Sequence, residues 1–332
     1  MKVGYAILYE DGELVISKNH QLLNKKIIND YGEFEDTNVP WKNESNKIKR
    51  VQILNQVKST CMRKWFERCN NLTTLLDFQN LDVSDCTDFS SMFAFCESLK
   101  DINELKNLNV SNSRRFRGMF SHCKMLQNLD ALKNWNVSNC LNFMEMFECT
   151  NIYNISALEN WNVSTAKTFS YMFFDCESLE NIDGVTNWNV SNGEDFSGMF
   201  ENCNSLQNIN ALKNWNVSNG TAFSYMFEYC ESLQNINVLK NWNVSNCTDF
   251  SYMFYSCKSL QDLNGLQNWN VSNCIDFSYM FAYCKSLKEI SLPKSMKYLN
   301  IDMFFNCNED LKIHWKNHIY TYEDLFEYEK IC

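Results

Sequence analysis

Residues 246–273 read Asn-Cys-Thr-Asp-Phe-Ser-Tyr-Met-Phe-Tyr-Ser-Cys-Lys-Ser-Leu-Gln-Asp-Leu-Asn-Gly-Leu-Gln-Asn-Trp-Asn-Val-Ser-Asn, and most of the 332-residue chain consists of copies of this stretch. The Met-Phe pair recurs every 27 residues, with a single step of 26, at Met92, Met119, Met146, Met172, Met199, Met226, Met253 and Met280. Degenerate copies stand at Trp65-Phe66 and Met303-Phe304. A fixed period of this length is typical of a solenoid, whose coils bury their apolar faces against one another.

The first half of the repeat predicts a short helix. Its apolar residues are spaced i, i+3, i+4 and i+7, so that a helix would carry them on one stripe: Phe250, Met253, Phe254 and Cys257. Asn246 precedes this run and Asp249 follows three residues later, a pattern typical of an N-cap with an acidic first turn.

The second half of the repeat predicts extended structure. Leu260 and Leu263 suit a short strand, with a turn behind it at Asn264-Gly265. Trp269 and Val271 alternate with polar residues, as in an extended segment with one buried face. We therefore predict an α/β solenoid, a stack of about nine to ten 27-residue coils, each a short helix plus short strands, capped at both ends.

Stacked coils would align equivalent residues in columns. One column consists of tryptophans, with Leu81 and Leu108 in the same slot: Trp135, Trp161, Trp188, Trp215, Trp242 and Trp269. Another consists of asparagines: Asn136, Asn162, Asn189, Asn216, Asn243 and Asn270. An amide repeated in this way can hydrogen-bond both to the coil above and to the backbone of its own bend.

Fourteen of the sixteen cysteines follow the same periodicity. Ten are predicted to lie on the apolar stripe of the helix: Cys69, Cys96, Cys123, Cys149, Cys176, Cys203, Cys230, Cys257, Cys284 and Cys307. Four share a second slot, namely Cys86, Cys140, Cys247 and Cys274, which leaves Cys61 and Cys332. A buried thiol behaves as a small apolar group. We therefore interpret these residues as reduced core thiols, with occasional disulfides as the alternative.

The recurring Trp-Asn-Val-Ser-Asn, followed by Phe-Ser-x-Met-Phe-x-x-Cys-x-Ser-Leu, resembles the repeat of BspA-like leucine-rich-repeat surface proteins. These proteins occur in bacteria, including mycoplasma lipoproteins, and in some protists and phages. The resemblance covers about Val51 to Cys307, with Asn where the family usually has Asp after Trp. It implies a right-handed leucine-rich-repeat-like solenoid used for adhesion or protein binding, and it supplies no catalytic residues.

The two ends of the chain depart from the repeat. Two apolar runs separated by Glu10-Asp11-Gly12 predict a β-hairpin, and Thr321 with Asp324 predicts a capped helix. A solenoid needs such terminal units because an uncovered coil exposes its apolar edge. We predict an N-terminal β-hairpin cap at 1–60, a repeat solenoid at 61–307 and a C-terminal helical cap at 308–332.

Composition bears on partners and location. The net charge of −10 would repel nucleic-acid phosphate on average, and no run of 18 apolar residues predicts membrane insertion. The local exception is Arg114–Arg117, near Arg63, Lys64 and Arg68, which we interpret as a solvated basic edge. No signal peptide, lipobox or sorting tail is visible, and the thiols suit a reducing compartment, whereas the resemblance implies a surface or secreted protein.

The polar residues predict no enzyme, cofactor or metal site. The four histidines are scattered, no glycine-rich phosphate loop occurs, and no Cys-x-x-Cys predicts zinc. One acidic column could in principle hold Ca²⁺, although a place in the first turn of each helix explains it better: Asp88, Asp195, Asp249 and Asp276.

The residue before each Met-Phe pair is the best candidate for function. This position varies, being Ser91, Gly118, Glu145 and Gly198 in some coils and tyrosine in others: Tyr171, Tyr225, Tyr252 and Tyr279. Tyr229 and Tyr283, with Tyr255 in a neighbouring slot, would extend the set. Exposed stacked tyrosines would bind a protein or glycan partner. The alternatives are that the tyrosines seal the core edge, and that the protein is a structural spacer or a virion or envelope building block.

Overall fold

The computed structural model describes residues 1–261, 263 and 265–329, with the backbone alone given for 326–329. Asn264, in the predicted turn, and Cys332 lie outside this part of the chain. The chain divides into two compact units. The first comprises Met1–Ile152 and Ala157–Thr165, and the second comprises Tyr153–Ser156 and Ala166–Cys332. Each unit contains its own stack of repeat coils.

The first unit begins with a sheet whose spatial order is β3-β1-β2-β4-β6. The strands are β1 (Lys2–Tyr9), β2 (Glu13–Ser17), β3 (Ile27–Glu35), β4 (Arg50–Leu54), β5 (Val57–Lys58), β6 (Thr74–Leu76) and β7 (Leu81–Asp82). The β1–β2 pair is an antiparallel hairpin, whereas β2–β4, β4–β6 and the separate β5–β7 pair are parallel. The hairpin is thereby joined through β4 to the first coil.

The second unit ends with a small sheet and a helix. Its strands β8 (Glu289–Ser291), β9 (Lys312–Trp315) and β10 (His318–Tyr320) pair in the order β10-β9-β8. Helix α1 (Tyr322–Glu329) begins after Thr321, which exchanges hydrogen bonds with Asp324 in a capping box. No helix among the described residues has the length and apolar character needed to cross a bilayer.

The predicted repeat helix is wrong. Residues 250–257 form two successive four-residue turns, in which the N–H of Met253 donates to Phe250 and that of Cys257 to Phe254, each at 3.2 Å. The third residues of the turns, Tyr252 and Ser256, have φ of 57° and 58°, as type II turns require. Because no helix begins here, the predicted N-cap role of Asn246 is wrong as well.

The apolar spacing misleads because two helical turns and two four-residue turns bury the same positions. The first and fourth residues of each turn point inward, which reproduces i, i+3, i+4 and i+7, and all four are fully buried. The N–H groups that a helix would use internally instead join neighbouring coils. Phe254 donates to Met280 and Ser256 to Ala282, at 2.9 and 2.8 Å. Inter-coil hydrogen bonds therefore replace the helical ones.

The second half of the repeat contains few regular strands. No strand occupies the described positions around Leu260 and Leu263, where the N–H groups of Ser259 and Gln261 donate to the Glu231 and Gln234 carbonyls of the preceding coil. Short 3₁₀ helices are the regular elements there instead: Phe78–Asn80, Asn103–Leu105, Asp130–Leu132, Ser156–Leu158, Asp183–Val185, Asn210–Asn214 and Asn237–Asn241. The predicted alternation after them is present, with Trp269 buried beside exposed Asn270. Two further 3₁₀ helices lie outside this half of the repeat, at Lys42–Lys47 and Ile301–Phe304.

The tryptophan column lies in the core, and indole N–H groups tie its rings to the preceding coil within each unit. In the second unit the indole N–H of Trp215 donates to the Val185 carbonyl at 3.0 Å, and that of Trp242 to Leu212 at 3.2 Å. The two indole rings are parallel, with centroids 6.5 Å apart. In the first unit Trp135 donates to Leu105 in the same way. These tryptophans thus both pack and satisfy buried carbonyl groups.

The cysteine column has a polar role in addition to packing. The thiol of Cys257 donates to the carbonyl of Phe227 at 3.2 Å, and burial raises its pKa far above the usual range. Cys149 is an exception, and its predicted place in this column is wrong. Thr150 is buried in its stead and donates from Oγ1 to Phe147 at 2.7 Å. Distance from the Met-Phe pair, and not the residue type, determines which side chain enters the core.

The polar columns close the bends. Asn270 accepts a hydrogen bond from the N–H of Ser272 within its own coil, whereas Asn273 donates to Ser245 of the preceding coil at 2.8 Å. Two asparagine columns therefore share the roles predicted for one. The acidic column makes the same local bond, since Asp249 accepts from the N–H of Ser251 at 2.8 Å. These carboxylates form Asx turns, and their predicted place in a helical first turn is wrong.

Candidate functional site

The varying position before each Met-Phe pair is hereafter the turn slot. It is the third residue of the first four-residue turn, and every tyrosine in it has φ between 56° and 61°. Residues that flank it point into the core, whereas the tyrosine rings are partly exposed: Tyr171, Tyr225, Tyr252 and Tyr279. The local backbone of the repeat therefore directs these side chains away from the core.

Three turn-slot tyrosines form a continuous stack in the second unit. The ring centroids of Tyr225 and Tyr252 are 5.0 Å apart, and those of Tyr252 and Tyr279 are 5.1 Å apart. The interplanar angles of 10° and 22° show that the rings lie nearly parallel. Neighbouring coils therefore hold these rings at stacking distance.

A second aromatic row runs beside the first. Tyr255 contacts Tyr229 at 5.4 Å and Tyr283 at 5.1 Å, and its contact with Tyr252 at 5.5 Å joins the rows. Tyr283 continues to Phe305 at 5.6 Å. Tyr229 and Phe305 are 38% and 41% exposed. We call the whole set the tyrosine surface: Tyr225, Tyr229, Tyr252, Tyr255, Tyr279, Tyr283 and Phe305.

Tyr171 is not part of this surface. Its ring lies over Gly198, the turn-slot residue of the next coil, and contacts Phe174 at 5.9 Å. A Cβ at Gly198 would lie 2.3 Å from Cε1 of Tyr171, so that only glycine leaves room for the ring. The structure thus brings together five of the six predicted binding tyrosines and separates the sixth.

Two acidic residues beside the tyrosine surface were missed at the level of sequence. Glu228 is only 8% exposed, and burial raises the pKa of its carboxyl to about 7. Burial, together with the charges of Glu228 and Asp175, raises the pKa of Glu201 to about 8. Both residues follow a Met-Phe pair directly, in the position that holds Tyr255 in another coil. Alignment of the repeats at the residue after each Met-Phe pair could have identified both glutamates from the sequence. The same alignment places Phe305 at this position.

The phenol groups of Tyr225, Tyr252 and Tyr255 remain neutral near pH 7. Burial, assisted by the neighbouring Tyr229 and Tyr283, raises the pKa of Tyr255 to about 12. Burial also raises the pKa values of Tyr225 and Tyr252. The hydroxyl groups of these rings can therefore donate and accept hydrogen bonds at the rim of an apolar surface.

The basic edge predicted in the first unit has acidic and aromatic contacts. Arg117 forms an ion pair with Glu145 at 3.3 Å, and Lys64 with Glu67 at 3.0 Å. The guanidinium of Arg68 lies 4.9 Å from the ring centroid of Phe95. These contacts offset part of the positive charge, in keeping with a solvated edge.

The chain matches a known protein family. The family described as "Mycoplasma protein of unknown function, DUF285" matches four overlapping segments, residues 37–151, 126–237, 180–294 and 205–317. Together these segments span residues 37–317, most of the chain. No curated protein matches the chain.

Solved structures of leucine-rich-repeat proteins are similar to the chain over most of its length. A leucine-rich cell surface protein from Faecalibacterium prausnitzii A2-165 has 17% identity and a TM-score of 0.44, with 96% of this chain and 95% of that one covered. A leucine-rich-repeat protein from Eubacterium ventriosum has 14% identity, a TM-score of 0.38 and coverages of 96% and 98%. A leucine-rich-repeat protein from Bacteroides ovatus has 13% identity, a TM-score of 0.31 and coverages of 95% and 89%.

Proposed function

We propose that this chain, which belongs to the DUF285 family, is a non-catalytic scaffold that binds a protein or glycan partner through the tyrosine surface. The observation that carries the proposal is the contact network of seven aromatic rings, at centroid distances of 5.0 to 6.4 Å, on the second unit. These rings occupy positions that the core does not require, since other coils place serine, glycine or glutamate in the turn slot.

The arrangement suits recognition for energetic reasons. The rings of Tyr225, Tyr252 and Tyr279 are held against one another, so that little side-chain entropy remains to be lost when a partner binds. Each ring offers an apolar face together with a hydroxyl group. Such a surface can cover an apolar patch of a protein or the ring face of a sugar.

Adhesion is the biological setting that we propose for this binding. The repeat resembles that of BspA-like surface proteins, and the resemblance supports a role in attachment to another cell or molecule. In the same proposal, residues 1–60 and 308–332 cap the repeats of 61–307. The parallel pairing of β4 with β6 and of β8 with β9 supports this division, because each pairing joins a terminal segment to the edge of a repeat coil.

The test replaces Tyr225, Tyr252 and Tyr279 together with serine in the full chain. Wild-type protein is screened on a glycan array and against a displayed peptide library, and each ligand found is then offered to the variant. We expect binding to be lost while the melting temperature stays within a few degrees. The matched control is Tyr153→Ser, which removes a tyrosine that is 51% exposed and lies outside the surface.

Two results would contradict the proposal. Ligands that bind the triple variant as well as the wild type would place the binding site elsewhere. A wild type that binds nothing in either screen, with a triple variant that unfolds, would instead support the rival function, in which the tyrosines seal the edge of a structural spacer.

A further inference from the structure

A second side-chain cluster lies in the first unit. His122, Glu148 and Cys149 each place one ligand atom within 4.8 Å of the other two. All three side chains are partly exposed. His122 and Cys149 occupy the third position of the second four-residue turn in consecutive coils, with φ of 60° and 53°. The repeat thus stacks an imidazole and a thiol directly beside a carboxylate.

Cys149 is partly exposed and lies outside the cysteine column, so that core packing does not explain its presence. Elsewhere the thiol fills the core and donates to a phenylalanine carbonyl, as Cys123 does to Phe93 at 3.2 Å. In this coil the buried residue is Thr150, whose hydroxyl donates within its own coil to the Phe147 carbonyl at 2.7 Å. The core therefore has no need of Cys149, whose side chain is directed to the surface beside His122.

Neighbouring residues hold the cluster in place. The hydroxyl of Ser121, which is 6% exposed, donates to Oε2 of Glu148 at 2.6 Å and lies 3.0 Å from Nδ1 of His122. The ring of Phe95 packs against the imidazole, with centroids 4.4 Å apart and the two planes inclined at 33°. Residues of this kind, which orient metal ligands from behind, are typical of metal sites in proteins.

We propose that His122, Glu148 and Cys149 bind a Zn²⁺ ion, with a water molecule as fourth ligand. Nitrogen, carboxylate oxygen and thiolate sulfur are the three donor types that zinc accepts, whereas Ca²⁺ and Mg²⁺ take oxygen alone. With zinc bonds of about 2.0 to 2.3 Å, the ligand atoms must lie roughly 3.5 Å from one another. Rotation of these partly exposed side chains can bring the atoms that close. Binding releases the thiol proton to water as the sulfur–zinc bond forms.

The first experiment measures stoichiometry and ligand type. The full chain is kept reduced with a phosphine, freed of metal, and titrated with Zn²⁺ in competition with a chromophoric chelator. Co²⁺ then serves as the spectroscopic probe, because thiolate ligation gives a near-ultraviolet charge-transfer band. We expect one Zn²⁺ per chain and that band at one equivalent of Co²⁺. A wild type that binds no metal in competition with the chelator would overturn the proposal.

The variants assign the site. His122→Asn and Cys149→Asn should fold, since Asn202 and Asn306 hold the same turn position in other coils with φ of 59° and 55°. We expect each to weaken Zn²⁺ binding by more than about 100-fold, and Ser121→Ala to weaken it by about 10- to 100-fold. Cys149→Asn should also abolish the charge-transfer band.

The matched control is Cys61→Ser, which removes another partly exposed thiol and should leave affinity and spectrum unchanged. Unchanged affinity in both asparagine variants, with circular dichroism showing intact folding, would overturn the assignment. So would loss of the band in the control alone.

Discussion

The turn slot has the same backbone in the two units but different side chains. In the first unit it holds Ser91, Gly118 and Glu145, with φ of 56°, 58° and 58°. In the second unit Tyr225 and Tyr252 adopt 61° and 57°. A left-handed conformation costs most non-glycine residues on the order of 1 kcal/mol. The repeat therefore imposes this geometry through its inter-coil hydrogen bonds, whatever the side chain, and leaves the slot available for function.

The core columns show the opposite behaviour. Phenylalanine, methionine and the hydrogen-bonding thiol or hydroxyl recur because each fills a space that two neighbouring coils define. The comparison indicates that stability depends on the columns, and the proposed binding function assigns recognition to the turn slots. Substitutions that exchange these roles test it directly.

The largest effect is expected from Trp215→Ala. The change removes ring contacts with the adjacent coil and the bond to the Val185 carbonyl, and truncation of a buried tryptophan typically costs about 3–5 kcal/mol. In a stack each coil contacts only its neighbours, so that we expect hydrogen exchange to rise between residues 187 and 246 first. Tyr252→Ser is the control. Uniform loss of protection throughout the second unit would show that the columns do not act locally.

A smaller effect is expected from comparing Gly198→Ala with Gly118→Ala. The two glycines have φ of 59° and 58°, so the backbone penalty is shared. At Gly118 the new methyl group would meet nothing closer than 3.6 Å, whereas at Gly198 it would collide with the Tyr171 ring. Overpacking of this kind costs about 1–3 kcal/mol, measurable by urea unfolding. Combination with Tyr171→Ser should remove the difference, and equal costs in the two single variants would refute the steric account.

A pH-dependent effect is expected from Glu201 and Glu228. On folding, the pKa of Glu201 rises from 4.5 to about 8 and that of Glu228 from 4.5 to about 7. At pH values between the unfolded and folded pKa, the folded state therefore binds more protons than the unfolded state. Stability should therefore be highest below about pH 4.5 and decline as the pH rises through 7 and 8. Thermal unfolding of Glu201→Gln and Glu228→Gln should show a flatter decline. Glu194→Gln removes an exposed ion pair and should leave the decline unchanged. Parallel curves of stability against pH for all three variants would contradict the assignment of the decline to Glu201 and Glu228.

The smallest effect on stability is expected at the tyrosine surface itself. Tyr279→Ser removes one partly exposed ring, and substitutions at such sites usually change the free energy of unfolding by about 0.5 kcal/mol or less. Calorimetry of this variant beside Tyr153→Ser should give similar small shifts. A loss comparable to that of Trp215→Ala would show that the tyrosines belong to the core, against the division between columns and turn slots.

The amino-acid sequence by itself determined the period, the columns and the place of the variable position. A strict repeat makes every coil bury the same positions, so Trp269 and Cys257 could be assigned to the core and Tyr252 to the edge from spacing alone. The hairpin and the capped helix near the ends followed from equally local signals, a turn at Glu10-Asp11-Gly12 and the pair Thr321 and Asp324.

Tertiary structure alone decided what the coil is made of and which side chains meet. The spacing of Phe250, Met253, Phe254 and Cys257 fits two helical turns and two four-residue turns equally well. The choice depends on whether the N–H groups bond within the coil or to the next one, which is a property of the stack. The same stacking separated Tyr171 from the tyrosine surface, buried Glu228, and brought His122 beside Cys149. Each of these results joins residues of different coils, about 27 positions apart, and local spacing carries no information about such contacts.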